Sequence, residues 1–162
     1  MKGFEPGLLA KLMPPKDGIQ GMPTSAGGAL SLAQYKAAIA CDLEGLLNSR
    51  AGLDEGLLEQ FPHCRQSLLS YGLRDFAAMS LASAEDRQAI CRALERTVGQ
   101  HEKRLRDPQV RLETDSRPGS GLHFTIQAVL DLQPAREPVS FDALLQPATQ
   151  QYSVSGVDRS RS

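Results

Sequence analysis

The sequence predicts an α+β domain, with helices in the first two thirds packed on a small antiparallel sheet near the carboxyl end. Three observations carry that prediction. Apolar residues recur at helical spacing in two stretches that begin at Ser31 and Ser83. After Pro108 the apolar period drops from about 3.6 to about 2 residues. A turn-rich segment at residues 116–121 then separates two alternating runs, the pattern of a β-hairpin.

Residues 7–13 hold a short apolar piece that Pro14-Pro15 stops, and residues 16–28 are rich in Gly, Pro, Ser and Thr, so they read as a flexible linker. Ser31 with Gln34 has the form of a capping box, in which each side chain satisfies a free N–H of the first helical turn. Leu32, Tyr35, Ile39, Leu43, Leu46 and Leu47 then form one apolar stripe, and Gly52 is expected to close the helix as a left-handed cap. Residues 53–81 mix short apolar groups with Pro62 and Gly72 and predict short helices and turns. Ser83 and Asp86 cap a second helix whose stripe is Ile90, Leu94, Val98 and Leu105. Gly99 weakens its last turn, and Pro108 is expected to end it. In the hairpin, Val110, Leu112 and Thr114 alternate with Arg111, Glu113 and Asp115. Leu122, Phe124, Ile126, Ala128, Leu130 and Leu132 then face one way along the second strand. Residues 138–141 predict a third strand and residues 150–154 a further extended piece. The chain thus divides into an amino-terminal docking segment and linker (1–29), one domain (30–146) and a carboxyl-terminal tail (147–162).

Composition narrows the function without naming it. The chain has 162 residues, room for one domain and its tails. Eighteen Lys and Arg against nineteen Asp and Glu leave a net charge of −1, with no bulk pull toward nucleic acid or an anionic membrane. No apolar run approaches the roughly 18–20 residues that cross a bilayer, and the amino end lacks the pattern of a secretory signal. Cys41, Cys64 and Cys91 are odd in number and widely spaced, which is no disulfide framework. These features predict a soluble, cytoplasmic protein without membrane insertion.

No motif for chemistry emerges. His101-Glu102 opens like a zinc-protease helix, but the second His that would complete it is replaced by Leu105. His63-Cys64 lacks the further ligands of a metal site, and no sequence context marks a Cys–His nucleophile. Gly27-Gly28 and Gly119-Ser120-Gly121 lack the Lys-Ser/Thr and the following helix of a phosphate loop. The basic residues Arg92, Arg96, Lys103, Arg104 and Arg106 suit the negative end of a helix and have no aromatic partners for base stacking. The expectation is a non-enzyme with no catalytic residues, no metal and no cofactor.

Several segments together resemble one family. The opening Phe4-Glu5-Pro6-Gly7-Leu8-Leu9-Ala10-Lys11-Leu12 is similar to the short amino-terminal segment of the TssE baseplate subunits of bacterial type VI secretion systems. These are relatives of the sheath-initiating wedge protein of contractile phage tails. Residues 41–50 resemble the family's R-D-L-x-x-L-L-N-[ST]-R helix end, with Cys41 for Arg. Residues 67–76 resemble S-[VL]-L-x-Y-G-L-P-D-[LF], with Arg74 for Pro. His101-Glu102-Lys103-Arg104-Leu105 stands where the family carries F-E-P-R-L, with Lys103 for Pro, and Glu137–Phe141 matches the closing sheet.

The resemblance implies a non-catalytic subunit that stabilises the baseplate wedge and initiates the sheath. Its implied partners are the wedge subunits TssF, TssG and TssK and the sheath subunits TssB and TssC. The implied location is the cytoplasm, docked near the inner membrane through partner proteins. Glu102 and Arg104 are implied as the contact with the wedge core, set against an internal Glu–Arg pair that closes the helix–strand turn. Phe4, Leu8, Leu9 and Leu12 are implied as a docking segment. A sheet edge at Val110, Arg111 and Leu112, or the strand of Phe141, is implied as the template for the sheath. Two other readings stand beside this one. One is a peptidoglycan hydrolase, since relatives have been labelled lysozyme-like, which would need a general acid in an apolar pocket. The other is a regulatory adaptor on a similar fold.

Overall fold

The computed structural model describes residues 31–52, 55–61, 63–64, 67–76, 79–80, 83–113, 121–132, 135–146 and 148–157. Helix α1 (Leu32–Asn48) is followed by a short α2 (Glu55–Gln60), a 3-10 turn (Leu68–Ser70) and helix α3 (Ala84–His101). Four strands complete the described chain: β1 (Leu105–Glu113), β2 (Leu122–Asp131), β3 (Arg136–Gln146) and β4 (Gln151–Val157). They form one antiparallel sheet in the order β1-β2-β3-β4. The fold is α+β, as the change of period predicts.

The helices start where their caps place them. Ser31 Oγ accepts from the Gln34 N–H at 3.2 Å while the Gln34 side chain accepts from the Ser31 N–H at 2.9 Å. Ser83 Oγ accepts from the Asp86 N–H, and Glu85 and Asp86 sit at the positive end of α3. The buried stripes meet on the sheet: Ile39, Leu43 and Leu47 from α1, and Ile90, Leu94 and Val98 from α3. They pack with Phe124, Ile126, Ala128 and Leu130 of β2 and Val139, Phe141 and Ala143 of β3. Across the β2–β3 pairing, large Phe124 stands opposite small Ala143, whereas Phe141 stands opposite Ile126, and all four side chains are buried in the core.

The helix ends differ from the sequence expectation. Gly52 does not close α1. The helix stops at Ser49 in extended backbone, and the chain pairs there with a distant segment. Leu73 N–H donates to Ser49 O at 2.8 Å, and Ala51 N–H donates to Leu73 O at 3.0 Å. The left-handed glycine is Gly72, at φ +110°, where an added Cβ would lie 2.5 Å from Ser49 O. Only glycine permits that approach.

Helix α3 ends at His101 rather than at Pro108, because the Glu102 N–H makes the last helical bond, to Val98 O. Leu105, expected on the helix stripe, is the buried first residue of β1. Pro108 lies inside β1, at a register shift between Arg106 and Gln109 where Asp107 takes φ 50°.

The sheet is larger than expected. β3 runs well beyond residues 138–141, and Pro138 lies past the end of β4, where its missing N–H costs no ladder bond. Within the segment drawn as a tail, β4 pairs with β3 and buries Tyr152.

Candidate partner-binding site

The turn from α3 into β1 carries Glu102 and Arg104. Two bonds fix it: Leu105 N–H donates to Glu102 O, and Asp131 N–H of β2 donates to Arg104 O. The Glu102 side chain is only 9% exposed and turns inward. Its Oε1 accepts from the Arg104 backbone N–H at 3.0 Å and from Arg104 Nε at 2.7 Å, while Oε2 accepts from Arg104 Nη2. Nη2 also donates to Asp42 Oδ2 of α1 at 2.5 Å. The guanidinium carbon lies 5.8 Å from the centre of the Tyr35 ring.

Burial alone would lower the Arg104 pKa. The hydrogen bond and charge of Glu102, and then those of Asp42, outweigh it and hold the group above its ordinary value. Tyr71 stands near the same carboxylates: burial first, then Asp42 and Glu102, raise its pKa.

The internal Glu–Arg pair is therefore formed, and Arg104 keeps an outer edge at the surface. Lys103, in the place of the family's Pro, is exposed and directs its amine back to Gly99 O at 3.5 Å. Sequence reasoning missed Asp42 and Tyr35 as members of this site. The only available signal was that Asp42 stands in the R-D-L-like stretch that resembles the family. Two segments that carry the resemblance thus meet at one guanidinium.

Helix α3 is tied down just before this turn. His101 Nε2 lies 3.0 Å from the Ser70 carbonyl, which can only accept, and Gln100 Nε2 donates to Ser70 Oγ at 3.1 Å. Tyr71 meets the His101 ring edge-on at 5.3 Å.

Val110, Arg111 and Leu112 lie in the edge strand β1, with Arg111 exposed. The Val110 N–H already donates to Glu95 Oε1 of α3 at 2.9 Å, and Leu112 N–H bonds the Cys91 thiol one helical turn earlier. The opposite edge is also held: Asn48 and Glu44 of α1 bond Tyr152 and Val154 of β4. Phe141, the alternative template strand, is a correction. It sits in β3, paired on one side with Ile126 and on the other with Gly156, because β4 adds a strand beyond it. Phe4, Leu8, Leu9 and Leu12 lie outside the described residues.

Among the described residues no group of three or more His, Cys, Asp or Glu converges as a metal site would require. Glu102, their one buried carboxylate, has both oxygens engaged by Arg104, unlike a general acid in an apolar pocket. No described helix is long and apolar enough to cross a membrane.

The family model described as baseplate wedge protein gp25 matches residues 33–135. The chain belongs to that family. TssE subunits are members too, so the resemblance read from the motifs holds at the family level. The gp25-family match begins inside α1 and ends just after β2, and so takes in Asp42, Glu102, Arg104 and all of β1. It gives the chain a role in the baseplate of a contractile injection machine, among other baseplate components. No curated protein and no solved structure matches the chain.

Proposed function

We propose that this chain is the TssE-type wedge subunit of a type VI secretion baseplate, which binds the wedge core and starts the sheath. The observation that carries the reading is the Asp42–Glu102–Arg104 cluster. It lies wholly within the match to the wedge family and presents an oriented guanidinium at the surface. An arginine held on one edge by a buried carboxylate suits a planar, two-point contact with a partner's carboxylates or carbonyls. The proposed wedge partners are TssF, TssG and TssK, and the proposed sheath partners are TssB and TssC, in the cytoplasm at a baseplate docked near the inner membrane.

In this reading residues 1–29 reach a wedge partner through Phe4, Leu8, Leu9 and Leu12, and the wedge domain runs from residue 30 past 146 to take in β4, which completes its sheet. The β1 edge at Val110, Arg111 and Leu112 meets the first sheath ring, with Val110 itself buried in the core. Because α3 already bonds the amides at positions 110 and 112, that contact runs through exposed side chains, Arg111 first.

The test is deletion of the gene in a strain whose sheath subunit carries a fluorescent tag. Extended sheaths become rare and return when the wild-type chain is supplied in trans. A normal sheath count in the deletion strain contradicts the reading.

A further inference from the structure

We propose that Asp42 is an internal stand-in for a partner's carboxylate: it holds by one contact the outer edge of Arg104 that an aspartate or glutamate of a wedge subunit takes by two. The inference rests on the reading of the chain as a wedge subunit and names the group its site receives.

A guanidinium offers two edges that grip a carboxylate side by side. The inner edge of Arg104, Nε with Nη2, is filled by the two oxygens of Glu102. At the outer edge Nη2 donates to Asp42 Oδ2, and Nη1 has no acceptor among the described residues. That edge is half used.

The two carboxylates differ in what holds them. The Glu102 side chain is 9% exposed and also accepts the Arg104 backbone N–H, so it is fixed with the turn. The Asp42 side chain is 51% exposed on the surface of α1, where an ion pair adds little and solvent competes for it. A carboxylate that engages Nη1 and Nη2 together makes two charge-assisted bonds in place of one, and Asp42 then turns to water. The Tyr35 ring beside the guanidinium keeps the plane in place during the exchange. Glu102 is thus the positioning residue and Asp42 the exchangeable one.

The test uses the full chain with isotope-labelled arginine side chains and sodium acetate as the carboxylate probe, with chloride at equal ionic strength as control. In Asp42→Ala, a change that favours the helix, acetate shifts the Arg104 Nε–H signal at concentrations about threefold to fivefold lower than in wild type. Equal titration of the two proteins, or no Arg104 response in the variant, overturns the proposal.

A second arm measures binding to the purified wedge subunits. Asp42→Ala binds about threefold tighter, and Arg104→Lys, which loses the planar fork, at least about tenfold weaker. If Asp42→Ala weakens binding as much as Arg104→Lys does, Asp42 belongs to the contact and the exchange is wrong. If the wild-type chain binds no wedge subunit, the wedge reading fails, and the acetate titration still decides whether Asp42 is exchangeable.

Discussion

The two edges of the sheet are closed by the same geometry and by different chemistry. At the β4 edge, Asn48 of α1 donates to Tyr152 O and accepts from Tyr152 N–H, both at 2.8 Å, and Glu44 accepts from Val154 N–H at 2.9 Å. At the β1 edge, Glu95 and Cys91 of α3 take the N–H groups of Val110 and Leu112. In each case side chains four apart on a helix meet backbone groups two apart on a strand. The match is metric: four helical residues rise about 6 Å, and two strand residues advance about 6.6 Å. The series continues on α3, where Gly99 has no side chain opposite Pro108, which has no N–H to satisfy. The difference is that Asn48 imitates a strand residue, giving and accepting, whereas Glu95 and Cys91 only accept. An unpaired edge recruits other chains, so both closures keep the lone subunit from pairing edge to edge.

Changes at four positions break or sharpen this contrast, in order of expected effect. Arg104→Ala, at the turn that leads from α3 into β1, leaves Glu102 buried without its partner and destabilises the fold by about 3–5 kcal/mol in denaturant titration. Asn48→Ala removes two bonds at once and strands the Tyr152 backbone groups, at a cost of about 2–3 kcal/mol. Hydrogen exchange in that variant speeds up across 151–157 and leaves β1 unaffected. Glu95→Ala removes one bond at the other edge and costs about 1–2 kcal/mol, with faster exchange at Val110; Glu95→Gln, which still accepts, costs less.

The smallest effect is in pH dependence, where α1 and α3 also part. Asn48 does not titrate, whereas His101 at the end of α3 does. Burial lowers the His101 pKa, the bond to Ser70 opposes the shift, and Lys103 adds to it. A histidine whose folded pKa lies below its unfolded one binds a proton more readily when unfolded. Its contribution is therefore lost as pH falls below the ordinary value of about 6.5. In melting curves from neutral to mildly acidic pH, His101→Gln loses less stability than wild type does.

What could be read from the sequence was local. The Ser31 capping box, the two apolar stripes and the alternation of β2 are each set by residues close together, and each appears in the structure. Leu105 was misplaced because its distance from Val98 suits a helix stripe as well as a new strand. The bulge at Asp107 also hides the first residues of β1 from a period-2 reading. The edge closures were not legible at all. Asn48 and Tyr152 are 104 residues apart, and Asp42 and Arg104 are 62 apart, so only the packing of helix on sheet brings them together. Within the site, Glu102 and Arg104 came from the family resemblance, and Asp42 and Tyr35 needed the fold.

The central claim is that Arg104 is the chain's contact with the baseplate wedge. Its most direct test is co-purification of the wedge subunits with Arg104→Lys, which keeps a charge beside Glu102 and so preserves the fold that Arg104→Ala endangers. The expected result is a circular dichroism spectrum like that of wild type, together with loss of the wedge subunits from the pulldown. A folded variant that retains them at wild-type levels would contradict the claim and leave Arg104 as the internal clasp of one turn.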